Sequence, residues 1–274
     1  IEPAGPTDPD VSVISVVATD GRPIALYANY ALHYVGGVAA FDLSADYFGA
    51  FAQNIQRRLA PAPQDPPFVG MLTNGASGDI NNNNFRNPGP RKKPYEQINL
   101  VADDVARAAE AAVKSIRYQD WVQLKALQTD LRLGVRKPAV EELPRARQLI
   151  ARMQNKPAKV PPDRDELYAQ ESIELLNYPD QVPVLVQAVQ IGDLALTGIP
   201  CEIFVEIGLE LKQKSPFKHT IVVNLANGYN GYLPTVRHHE LGGYETWRAR
   251  SAYLEVQAAP KITTELLILL GRLK

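Results

Sequence analysis

The sequence predicts an α/β protein, a central mixed β-sheet flanked by helices and carrying a helical insertion at residues 137–182. Short apolar segments alternate with longer ones whose apolar residues recur at the 3.6-residue helical period. The opening pair of strands reads as a hairpin, which puts an antiparallel pairing into the sheet. The stretch from 137 to 182 departs from both patterns, being rich in Arg, Lys, Glu and Pro.

Taken in chain order, "VSVISVVATDGRPIALYANYALH" gives two strands joined at Asp20 and Gly21, residues suited to a tight turn. In "DYFGAFAQNIQRRL" (46–59), Phe48, Phe51, Ile55 and Leu59 fall on one helical face. "PFVGMLTNGASGD" is a short strand running into a loop rich in Gly and Asn. A helix over about 99–116 follows, with Val101, Val105, Ala108, Ala112 and Ile116 as its expected apolar stripe. "VQLKALQTDLRLGVR" alternates like a strand, and the insertion holds two helical segments around "NKPAKVPPDRDE". Its charge run reads as a solvated face. The strands "PVLVQAVQI" and "LALTGIP" turn at Gly192 and Asp193. Glu202 then opens a helix with Phe204, Ile207, Gly208 and Leu211 on one face, stopped by Ser215 and Pro216. "TIVVNLAN" is the last strand, and "APKITTELLILLGRLK" a terminal amphipathic helix.

Composition narrows the function. The 274 residues are 45% hydrophobic and 22% charged, ordinary values for a globular protein able to bury a large core. A formal net charge of −1 creates no basic field to draw nucleic acid or an anionic membrane. The longest apolar runs fall short of the roughly 20 residues that span a bilayer. With one cysteine, Cys201, there is no intrachain disulfide or multi-cysteine zinc knuckle, and its position at a turn reads as a small buried residue.

Three polar residues stand where apolar strand patterns stop: His33, Glu202 and Tyr232. Loops beyond the carboxyl ends of strands are where open α/β sheets gather their chemistry. An imidazole, a carboxylate and a phenol meeting there would suit a transition metal, since zinc accepts nitrogen and oxygen ligands. Each also has an ordinary alternative: a hydrogen-bonded structural histidine, a carboxylate at a helix start, and a packed tyrosine. His238 and His239 point apart on any helix or strand and read as surface residues, and His219 has no evident partner. The basic segment "RNPGPRKKP" reads as a solvated loop.

Four motifs in order, "ANYALHYVGG…DLSADYFG", "NGASGDINNN", "GIPCEIFVEIGLELK" and "NGYNGYLPT…LGGYE", resemble the catalytic domain of the neutral/alkaline, non-lysosomal ceramidases and their bacterial relatives. The resemblance covers about residues 10–255. It implies a zinc-dependent hydrolase of the amide of an N-acyl sphingosine, secreted or periplasmic, although the chain carries no signal peptide. It further implies a metal set of His33, Glu202 and Tyr232, with Tyr244 supporting the site, and Asp79, Asn81 and Tyr244 as the catalytic set. Residues 1–274 would then be one catalytic-domain core, its 137–182 insertion serving as a lid.

Two departures accompany the likeness. The family's first zinc histidine lies in a "THTHSGP"-like segment, and it and a substrate-binding arginine precede the point where this chain begins. A second chain or an amino-terminal segment is therefore expected to complete the metal site. Where ceramidases read "GDxSPN", with the serine as nucleophile, this chain reads "GDINNN", placing Asn81 at the serine. An amide cannot become an attacking alkoxide, so the expected attacking group is a metal-activated water, with Asn81 and Asn82 as hydrogen-bond donors. Ser77 lies four residues away, outside the motif's register. Two other readings stay open: a noncatalytic lipid-binding or structural relative, and a metal hydrolase of a non-lipid amide or ester.

Overall fold

The structure, a computed structural model, describes residues 5–90 and 92–274. Residues 1–4 and Arg91 of the basic segment lie outside them. Strands β1 (Ser12–Val17) and β2 (Pro23–Tyr30) pair antiparallel. Gly21 at their turn has φ +87°, and the Asp20 side chain accepts the Arg22 N–H at 2.9 Å. β3 (Val69–Asn74) adds parallel to β2. A second ladder runs in the order β4 (Leu124–Gly134), β5 (Gln181–Ile191), β6 (Leu194–Gly198), β8 (His219–Val223), with β6 and β8 parallel. A third couples two short parallel strands, β7 (Glu202–Ile203) and β9 (Tyr232–Leu233).

The mixed α/β reading holds, but the strands form three ladders rather than one. The two larger ladders meet through polar groups: the Asn224 N–H donates to the Asn74 carbonyl at 2.9 Å, and Asn29 Nδ2 to the Val222 carbonyl at 3.2 Å. Asn29 and Asn224 are both buried.

Two apolar cores follow. Against the first ladder lie α1 (Asp46–Leu59) and α2 (Glu96–Val113), burying Phe51 and Ile55 beside Leu26 and Ala28. Each large side chain so buried contributes about 1.5–3 kcal/mol. Gly70 allows the close approach of α1 to β3, since a Cβ there would lie 2.5 Å from the Ile55 side chain. The buried stripe of α2 is Ile98, Ala102, Val105 and Ala109, rotated from the expected one, with Ala108 exposed. Alanines all round a helix give the apolar pattern little contrast. The second core packs α5 (Val205–Lys214) and α7 (Ala258–Leu273) against the second ladder through Ile207, Leu211, Ile262 and Leu266.

The insertion folds as a helical hairpin of α3 (Leu143–Gln154) and α4 (Arg164–Glu174). Its charges are not all solvated. Glu166 is fully buried, accepting from Arg152 Nε at 2.8 Å, Lys156 Nζ at 2.5 Å and the Asp163 N–H at 2.9 Å. Burial opposes its charge, yet these partners outweigh burial and hold the carboxyl at about 2. Stabilisation from a depressed carboxyl is present above its unfolded value and lost as pH falls through the folded one. Glu166→Gln should therefore lower the thermal midpoint at pH 7. The gap from wild type should close between about pH 4.5 and about pH 2 in a calorimetric series.

Candidate active site at the strand ends

The carboxyl ends of β2, β3, β6 and β8 all feed loops into one region, because β2–β3 and β6–β8 are parallel pairs. His33 lies three residues beyond β2, and its loop is fastened on both sides. The Tyr47 hydroxyl donates to the Leu32 carbonyl at 2.8 Å, and the Asp46 carboxylate accepts the Val35 and Gly36 N–H groups at 2.8 and 2.7 Å. The "DYF" of the first motif thus clamps the loop of its histidine.

The loop after β3 forms the floor. Gly78 N–H donates to the Ile203 carbonyl at 2.7 Å, and a Cβ on Gly78 would stand 2.6 Å from the Glu202 carbonyl oxygen. Asp79 accepts the Val205 N–H at 2.8 Å, satisfying the start of α5, where orphan donors favour an anion. Burial raises the Asp79 pKa despite that bond. Glu202 itself lies in β7, not in the helix, so Asp79 and not Glu202 serves the helix start.

Glu202 and Tyr232 are direct partners across β7–β9, which sets their side chains next to each other. Gly231, at φ +76°, lets the chain pass against Ser251, whose carbonyl oxygen a Cβ would approach to 2.4 Å. His33 Nε2 is 3.7 Å from Glu202 Oε2, and His33 Nδ1 is 3.3 Å from the Ser77 carbonyl. A carbonyl only accepts, so this bond places a ring proton on Nδ1, and Nε2 is the ring nitrogen facing Glu202. The Tyr229 hydroxyl donates to Glu202 Oε1 at 3.2 Å. Burial, then the Glu202 charge, push the Tyr229 phenol up to about 12. Tyr232 is raised further, by burial first and then by its contacts with Tyr244 and Glu202. The hydroxyls of Tyr232 and Tyr244 are 3.4 Å apart, their rings edge to face at 5.7 Å.

A cavity of about 150 Å³ opens here, lined by His33, Asp79, Asn81, Phe85, Tyr244 and Glu245 among others. A cleft of about 670 Å³ adjoins it, sharing Phe85 and lined by Asn82, Asn83 and Asn84, and another of about 440 Å³ lies at the α4 side beside Tyr168 and Trp247. Asn81 Oδ1 accepts the Asn83 N–H at 3.1 Å, so its NH₂ is the end left to donate.

Whether zinc suits these residues is a matter of spacing. Two ligands at about 2.0–2.2 Å from a tetrahedral zinc stand roughly 3.3–3.6 Å apart, close to the 3.7 Å between His33 Nε2 and Glu202 Oε2. A hydrogen bond from the far ring nitrogen to a carbonyl is the usual support of a metal-binding imidazole. The pair therefore fits the ion. Among the described residues, no three His, Cys, Asp or Glu side chains gather into a metal-holding group, and the third candidate ligand is a phenol.

Other expectations sort as follows. Ser77 is fully buried and donates to Asn74 Oδ1 at 2.8 Å, away from the cavity lining. Cys201 is buried with its thiol pKa raised by burial and by Glu202, which makes it inert. His238 is not a surface residue: it is buried on α6 (Val236–Leu241) beside Phe204, with Nδ1 2.7 Å from Thr235 Oγ1 and 3.5 Å from Glu206. His239 points elsewhere, and burial followed by the Arg136 charge lowers it to about 4. Tyr229 was not singled out by sequence, although it flanks Gly231 together with Tyr232 in "GYNGY".

No family model and no curated protein sequence matches the chain. Solved structures do. One, a ceramidase complexed with C2, matches 97% of this chain and 48% of its own at a TM-score of 0.71 and 16% identity. Another, neutral ceramidase from Pseudomonas aeruginosa, matches 97% of this chain and 47% of its own at a TM-score of 0.63 and 17% identity. This chain thus spans about half the length of the ceramidase chains it matches. Over nearly all of its own length, it has the fold of the neutral ceramidases.

Proposed function

We propose that this chain is the core of a zinc-dependent amide hydrolase of ceramidase type, acting on an N-acyl amide with an apolar, sphingolipid-like tail. The observation that carries the reading is the His33–Glu202 pair, 3.7 Å apart, with the far ring nitrogen tied to the Ser77 carbonyl. Tyr232, paired with Glu202 across β7–β9, completes the candidate ligand set. Zinc bound there would supply Lewis-acid polarisation of the scissile carbonyl and bring the pKa of water to about 7.

The chain's own groups divide the remaining work. The Asn81 NH₂, with its oxygen held by Asn83, donates to oxygen charge that develops as water adds to the carbonyl. Tyr244, whose pKa burial raises, keeps its proton at neutral pH and donates it as a hydrogen bond to the substrate. One proton of the attacking water passes to solvent as it is activated, and the other goes to the departing amine as the C–N bond breaks, leaving a carboxylate and a neutral amine. Asp79 holds the loop of Asn81 to the start of α5, and Phe85 offers an apolar wall. A further ligand histidine from a partner chain or an additional segment would make four protein ligands, and the site would have to keep one more position open for water. The 137–182 hairpin is read as an insertion of the same domain.

The alternative of a noncatalytic lipid-binding relative is favoured by one feature, Asn81 in place of a hydroxyl nucleophile. Hydrolysis of a short-chain N-acyl sphingosine with added zinc separates the two readings. Glu202→Ala should abolish both zinc uptake by calorimetry and turnover, and equal turnover in wild type would exclude the metal-hydrolase reading. Asn81→Ala should lower turnover by about 10²–10³-fold, the cost of one oxyanion donor, with zinc uptake unchanged.

Gly78→Ala places its methyl 2.6 Å from the Glu202 carbonyl oxygen. It should cost about 1–3 kcal/mol in urea unfolding, as overpacking does. It should also weaken zinc binding, because relief of the clash displaces Glu202. An unchanged unfolding midpoint would show that the loop absorbs the methyl freely.

A further inference from the structure

Tyr244 reaches the site from a segment with little burial of its own. It is 53% exposed and follows Gly242 and Gly243, whose φ angles of +82° and +119° few side-chain-bearing residues adopt. A Gly-Gly pair lets the chain turn sharply between α6 and Tyr244. On the other side, residues 247–250 are fastened to the α3–α4 hairpin. The Glu171 carboxylate accepts the Arg250 N–H at 3.0 Å, Nε at 2.9 Å and Nη2 at 2.6 Å. Arg248 Nη2 donates to Glu142 at 2.6 Å. Trp247 lies edge to face with Tyr168 at 5.1 Å, and the Arg164 guanidinium stands 5.0 Å from the Trp247 ring centre.

We propose that the α3–α4 hairpin is a latch, and that Glu171 and Tyr168 are positioning residues holding Tyr244 against Tyr232. Its bearing on catalysis rests on the hydrolase reading given above; the mechanical part does not. The sequence of couplings is short. The Tyr244–Thr246 3₁₀ turn is closed by the Trp247 N–H to the Tyr244 carbonyl at 3.2 Å, and Trp247 is the residue the hairpin grips. On the other side Gly242 N–H donates to the His238 carbonyl at 2.9 Å and the Gly243 carbonyl accepts from Thr246 N–H at 3.0 Å, bonds local to the segment itself, so the hairpin's grip on 247–250 helps decide where the Tyr244 phenol rests. Arg136 Nη1, on the carbonyl of Thr246 at 2.8 Å, anchors the turn to the body of the protein, alongside the Tyr232–Tyr244 contact.

This arrangement makes the fastening electrostatic and aromatic rather than a large buried core. A bidentate Arg–carboxylate pair adds geometric definition, and an edge-to-face aromatic pair contributes beyond its area. Glu171 and Arg250 are each partly exposed, so their removal should free the segment without unfolding the protein.

Hydrogen exchange and a double-variant cycle, run on the full chain, test the proposal. In Glu171→Gln, amide exchange across 244–250 should quicken by about tenfold or more while β5, β6 and α7 keep wild-type protection. Tyr168→Ala should do the same through Trp247. With a short-chain N-acyl sphingosine and zinc, Glu171→Gln and Tyr244→Phe should each lower kcat. Together they should lower it no further than Tyr244→Phe alone, because Glu171 acts only through the phenol. Wild-type exchange at 244–250 in both hairpin variants would overturn the latch. Multiplying losses in the double variant would show that the hairpin affects turnover by another route. Absence of hydrolysis in the parent chain would count against the hydrolase reading alone, since the exchange measurement still decides the latch.

Discussion

The site depends on how the two main ladders are joined. Their strand ends abut where no continuous ladder exists, so the backbone groups there need other partners, at a cost of about 1–3 kcal/mol for each one buried unpaired. Asparagines supply them. Asn224 gives its N–H to the Asn74 carbonyl and takes the Ile203 N–H on Oδ1 at 2.8 Å, while Asn29 bridges to Val222. Asn74 also accepts the Ser77 hydroxyl. One asparagine thereby fixes β7 to the loop after β3, and the relative position of Glu202 and Gly78 follows from it.

Around that junction, three carboxylates of similar chemistry have different uses because their surroundings differ. Asp46 is saturated by backbone N–H groups and holds the His33 loop. Asp79 meets the first N–H of α5. Glu202 faces an imidazole nitrogen and a phenol, with no backbone N–H on its side-chain oxygens among the described residues. It is the carboxylate with coordination capacity left to offer a ligand.

Much of this was legible in the sequence for a physical reason. The Gly- and Asn-rich loop after β3 was legible as a break in the strand pattern, whereas Asn224, read as part of the strand "TIVVNLAN", lies just past the end of β8 and caps Ile203. Helical stripes with strong contrast, such as Phe51 and Ile55, were also plain. What escaped were features set by packing between distant segments. The α2 face could not be read from alanines, and Glu202 looks helical by neighbourhood but pairs with a strand 30 residues away. His238 is buried by Phe204 and Thr235, and the charge of Glu166 by residues around its own hairpin tip. Within 137–182 the two helices form a hairpin fastened to the 247–250 segment, a long-range contact with no signature in the local sequence.

The charged knot at Glu166 has a consequence for chain cleavage. The hairpin tip, residues 157–162, is exposed and proline-rich, the kind of segment proteases nick. Arg152 and Lys156 lie before the tip, while Asp163 and Glu166 lie after it, so their bonds cross any break made there. A nicked molecule should therefore keep α3 and α4 together at neutral pH, the knot joining them across the break as the β4–β5 ladder joins the rest of the two fragments.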